Sequence, residues 1–181
     1  MRYVFTLSLI FNCFSSLAQT VQPIVNVSVT MPSVALIDLL STGSFNPNLK
    51  VVAPTEAGNA VNTFASNSDN WLIFTSAVAA GASRSIKGNI TGTLPGGLRL
   101  RLDISPYVGS GAFTPGSCFV TSNVYLTTTP TSFIDTIKGA YTGINAGSSG
   151  YKLKYSLEVQ SYGNIRSGLT AITVQYTIAD N

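Results

Sequence analysis

The side chains able to do chemistry are few. The chain carries no histidine, two cysteines and seven Asp and Glu residues, which excludes a Ser-His-Asp relay and a histidine-held zinc site. Glycoside hydrolysis needs only two carboxylates, about 5–9.5 Å apart across a cleft. Here, however, Asp38, Asp103 and Glu158 lie in alternating, strand-like runs, Glu56, Asp69 and Asp135 lie in turn-like segments, and Asp180 is next to last. No pair stands out by spacing, and no Ser-Lys arrangement is recognisable. The glycine-rich stretch from Gly109 to Gly116 lacks the lysine and the following helix of a phosphate loop. Ser66-Asn67-Ser68-Asp69-Asn70 is the one oxygen-rich run that calcium could use, and an Asx turn explains the same residues. The inventory therefore predicts no catalytic residue, no metal site and no cofactor.

The elements that hold these residues are strands. Leu98-Arg99-Leu100-Arg101-Leu102-Asp103-Ile104 sets an aliphatic residue at every second position and a charge at the others, the signature of a strand with one face on a core and one in water. The runs 151–159 and 172–178 alternate in the same way. Further strands are expected over 25–31, 34–40, 49–52, 71–77, 85–91 and 119–127, with turn clusters between them at 41–48, 55–59, 66–70, 95–97, 105–116 and 143–150. Only residues 130–138 suggest a helical turn, with Ser132 and Asp135 spaced as a capping box. Many short strands with regular turns predict an all-β chain, a single immunoglobulin-like β-sandwich that is mostly antiparallel. Face logic further predicts a hairpin around Pro95-Gly96-Gly97, with Ile90 opposite Leu102.

The start of the chain sets the expected compartment. Met1-Arg2, an apolar run from Tyr3 to Phe14 and small residues at Ser16-Leu17-Ala18 form the pattern of a secretory signal peptide spanning 1–18. The mature domain then runs over 19–181, and no later stretch approaches the ~18 apolar residues of a membrane helix. Secretion, the periplasm or a cell surface is the expected location. Removing Arg2 takes one charge from a total of only +3, and no basic run has the density that nucleic-acid binding demands. Cys118 is the one cysteine after the leader, so an internal disulfide is impossible. With no cation close in sequence, it reads as a small buried apolar side chain. Trp71, Arg99, Arg101, Tyr107 and Tyr141 mark a candidate ligand surface, through aromatic stacking or a basic patch on the outer face of the Arg99–Asp103 run.

The two ends carry the most specific pattern. Gly168 is fourteenth from the end, and even steps from it give Thr170, Ile172, Val174, Tyr176 and Ile178. Near the start, Val21, Pro23, Val25, Val27, Val29 and Met31 alternate with Gln22, Ile24, Asn26, Ser28 and Thr30. The final segment resembles the terminal strand of chaperone–usher pilins, in which such a glycine precedes alternating apolar residues. It departs from that family where tyrosine is usual next to last, since this chain has Asp180, and it lacks the disulfide common there. The resemblance implies that residues 19–31 form a donor-strand arm, with Val21, Val25, Val27 and Val29 entering a neighbour beside Gly168, Ile172, Val174, Tyr176 and Ile178. The expected function is an exported structural or adhesive subunit whose partners are other protein subunits or surface glycans. A secreted carbohydrate- or ligand-binding module is the alternative.

Overall fold

In the computed structural model the described residues are 25–61 and 63–181. The expected signal peptide, Val21 and the rest of the expected arm before Val25 lie outside them. The chain divides at Met31, and Pro32–Asn181 forms the sandwich. Its strands are β1 (Val34–Ser41), β2 (Val51–Val52), β3 (Thr63–Phe64), β4 (Ser66–Ala77), β5 (Arg84–Thr91), β6 (Leu98–Ile104), β7 (Ala112–Phe113), β8 (Phe119–Val120), β9 (Val124–Leu126), β10 (Thr131–Ile137), β11 (Ala140–Tyr141), β12 (Tyr151–Val159) and β13 (Thr173–Asp180). Among the described residues the only helical piece is a 3-10 turn at Tyr162–Asn164.

Every ladder is antiparallel, and the strands form two main sheets, as the alternation predicts. In the first, β4 holds β1 along one side and β12 with β11 along the other; β6 and β9 follow β12, and β7 follows β11. The second runs β13-β5-β10-β8, and β2 and β3 pair separately. The order β1-β4-β12-β6 facing β13-β5 matches strands A-B-E-D facing F-C of an immunoglobulin constant-type sandwich. Beside β13, where that fold puts its last strand, no described strand pairs.

The alternation that defines each strand also builds the core. Leu100, Leu102 and Ile104 of β6, Leu153 and Tyr155 of β12, and Leu72 and Phe74 of β4 face Ile86 and Ile90 of β5 and Phe133, Ile134 and Ile137 of β10, all buried. β6 and β12 match the predicted bounds because polar or charged residues alternate with aliphatic or aromatic ones to both ends. Their outer faces meet in register, Arg99 opposite Glu158 and Asp103 opposite Lys154.

Several expectations are corrected. Residues 25–31 are not a strand: 25–33 adopt no regular structure, and the side chains of Val25, Val27 and Val29 are exposed. The hairpin around Pro95 does not form, because β5 pairs with β13 and β10 while β6 pairs with β12 and β9. Ile90 and Leu102 both face inward as expected, but from opposite sheets; parity fixes which side is buried, not whether two strands pair or face each other. Gly97, at φ 79, turns the chain so that its carbonyl accepts from Gln160 and Ser161 beyond the end of β12. Residues 131–137 form β10 instead of a helical turn. Ser132 Oγ does reach the Asp135 carboxylate, at 2.5 Å, but the ladders to β5 and β8 take the backbone and kink it at two bulges. The expected strand over 119–127 is split between the two sheets at Asn123, whose φ is 62. The Ser66–Asn70 run opens β4 because pairing with β1 and β12 overrides the weak β preference of Asn, Asp and Ser.

Candidate functional site

The residues proposed as a ligand surface do not gather into an open platform. Trp71 points to the outer face of β4, yet is buried with Lys152 Nζ 6.0 Å from its ring centre. Tyr107 is half-buried; its hydroxyl donates to Thr142 O and accepts from Gly111 N–H, and its ring packs edge-on against Phe113. Of the three aromatic residues only Tyr141 is exposed. Arg101 holds Asp103 through two N–H groups, at 2.8 and 2.9 Å, and Glu158 at 2.6 Å. Arg99 reaches Glu158 at 3.0 Å and stacks 3.8 Å from the Tyr125 ring centre. Partial burial works against the Glu158 charge, but the bonds from Arg101, Tyr125 and Arg99 outweigh it and hold the carboxyl below its usual range. Both arginines are thus engaged by carboxylates of their own sheet, which leaves little positive charge for an anionic ligand.

The carboxylates do not converge either. Among the described residues no cluster of three potential metal ligands occurs. Asp69 is occupied in folding the loop after β1: its carboxylate accepts from the Ser44 N–H at 3.0 Å and the Asn67 amide at 2.8 Å, which hold it below its usual range. Cys118 is half-buried against the core at φ 59, and burial pushes its thiol up, as suits a packing residue.

The C-terminal pattern leads to a distinct place. β1 and β13 are edge strands of opposite sheets and approach each other on one side of the sandwich. The Asn181 N–H donates to Ser83 O at 3.0 Å. Alternation along an antiparallel ladder then turns the N–H and C=O groups of Val174, Tyr176 and Ile178 to the free side of β13. The same logic, from the 3.0 Å bond between Thr42 N–H and Asp69 O, turns those of Ala35, Ile37, Leu39 and Ser41 to the free side of β1. There the Leu39 N–H is taken by the Asp38 carboxylate at 2.8 Å, whereas the free groups of β13 have no partner among the described residues.

The side chains along this seam are inward-facing but incompletely covered. Ile37 and Leu39 on β1, and Ile172, Val174, Tyr176 and Ile178 on or beside β13, are only half-buried. Tyr176 lies opposite Gly88, where an added Cβ would sit 3.1–3.4 Å from Leu126, Phe133 and Tyr176 itself. The missing side chain leaves room for the ring, which packs edge-on against Phe133 and carries its hydroxyl to Tyr155 of the other sheet at 2.7 Å. Burial pushes both phenols above their ordinary range. Gly168 lies in an irregular, exposed stretch before β13.

One end of the seam is closed by a residue the sequence reading missed. Arg84 opens β5, and its side chain is 7% exposed. Its Nε–H donates to Asp180 at 2.7 Å, one terminal nitrogen to Val34 O, Ser76 Oγ and Ala77 O, and the other to Ser33 Oγ at 2.8 Å. It joins both edge strands to β4, and Asp180, the departure from the pilin pattern, is its ion-pair partner. A lone arginine between serines carries no local signal of such a role. Comparison with known proteins finds no match to this chain among protein-family models, curated proteins or solved structures.

Proposed function

We propose that the protein is an exported, non-enzymatic structural subunit that assembles by strand donation, its arm entering the seam between β1 and β13 of another copy. The observation that carries this reading is the seam: two eight-residue edge strands side by side, with no strand between them among the described residues, over half-buried apolar residues. An added strand gains main-chain bonds along β13 and covers Val174, Tyr176 and Ile178 with alternate side chains. The arm has the matching period: Val25, Val27, Val29 and Met31 are 77–85% exposed. Donation from copy to copy is head-to-tail, so it builds an open filament unless the rotation closes a ring. The leader pattern supports export. The ligand-binding alternative has less support, since Trp71 is buried and both arginines are engaged.

Deleting residues 21–29 should abolish assembly in electron micrographs, and a peptide of that stretch should raise the melting temperature of the truncated protein. Undiminished assembly by the truncated chain, or a peptide without effect, would refute strand donation.

A further inference from the structure

We infer that the arm is kept out of its own molecule's seam by its root, Pro32–Val34, which Arg84 grips, and is thereby reserved for a second copy. This rests on the strand-donation reading and adds what keeps the arm from closing on its own molecule.

Arg84 bonds Val34 and Asp180 at once, so the start of β1 lies beside the end of β13. An arm entering its own seam must therefore reverse at the root and run back along β1. The tightest reversal sets Met31 opposite Val34 across a two-residue loop, Pro32-Ser33. Loops of that length use type I′ or II′ turns, which need φ above zero at their first residue, while the proline ring fixes φ near −65°. A three- or four-residue loop reaching back to Met31 is built on a type I turn, which puts Met31 in the α region that a following proline disfavours, and a loop widened the other way takes up Ser33 and Val34, which are both occupied. Ser33 Oγ is bonded to Arg84 and to Ala77 O, and Val34 O accepts from Arg84. Freeing them would leave a buried guanidinium short of partners. An arm arriving from a second copy needs no turn here and leaves the Arg84 bonds intact.

The test is amide hydrogen exchange across Val25–Met31 in the full chain, as dilute monomer and after assembly, for the natural sequence and for Pro32→Gly. That change makes the loop a glycine-serine pair suited to a type II′ turn. A second variant, Pro32→Asn with Ser33→Gly, offers a type I′ pair and removes one Arg84 bond. The natural arm should exchange freely in the monomer and gain protection on assembly. In the variants the monomer's arm should exchange at least about tenfold more slowly, and assembly should fall. Protection of the natural arm in the monomer would show insertion into its own seam and overturn the inference while leaving the fit of arm to seam intact. Variants whose arms stay unprotected and assemble like the natural chain would also overturn it. An arm unprotected in every state would overturn strand donation itself, and the inference with it.

Discussion

The two sides of the sandwich use the same alternating pattern to different ends. On the side of β6, β12, β5 and β10, inward residues such as Leu102, Leu153, Ile86 and Phe133 are fully buried. On the side of β1 and β13, Ile37, Leu39, Val174 and Ile178 face inward yet remain half-exposed, because among the described residues each strand has a neighbour on one edge only. A period of two thus specifies which face turns inward. Completeness of burial depends on what lies alongside.

The largest contrast should come from truncating one residue on each side. Leu102→Ala should cost about 2–5 kcal/mol in urea denaturation, through lost transfer energy and a cavity, and Val174→Ala only about 1–2 kcal/mol, since water already reaches its site. Equal losses would erase the distinction between the sides. Tyr176 sharpens it, since its hydroxyl bonds Tyr155 of the other sheet: Tyr176→Phe should cost about 1 kcal/mol. Because burial raises both phenols, stability should hold up to the ordinary tyrosine value near pH ~10 and fall above it, as the unfolded chain ionises while the folded one keeps its protons. Tyr176→Phe should make that fall shallower in denaturation curves taken from pH 9 to 12.

Smaller effects belong to the surface. Glu158→Gln should cost no more than about 1 kcal/mol, as its bonds are partly in water. Since Glu158 is held below its ordinary value, its contribution is present above pH ~4.5 and lost on acidification, so the variant's stability should converge on that of the natural chain in acid. Smallest is Asp38→Ala, within about 0.5 kcal/mol in stability. It frees the Leu39 N–H, which should then exchange faster with solvent.

Much of the sandwich was legible in the sequence, for reasons particular residues show. β6 and β12 could be bounded from their own letters because each exposed position is polar or charged and each buried one aliphatic or aromatic. β10 could not, since Thr131–Ile137 mixes apolar and polar residues to suit two bulges and a left-handed Thr136. The pairing of β5 with β13, across an interval that contains seven other strands, leaves no trace in either segment. Along the seam, the apolar positions of β13 were readable from Ile172 to Ile178. Their partial burial was not, because it depends on what lies alongside in the fold, and Arg84 was invisible because its five partners come from three separate stretches of chain.

The rest of the sheet perimeter differs from the seam in length. β7 and β8 have two residues each and β9 has three, with the left-handed residues Cys118 and Asn123 between them. A visiting strand secures itself by bonding at several successive rungs, and these borders offer too few. Among the described residues the edges of β1 and β13 are therefore the longest border open to an incoming strand, and the short borders elsewhere offer crowded copies few rungs to zip along.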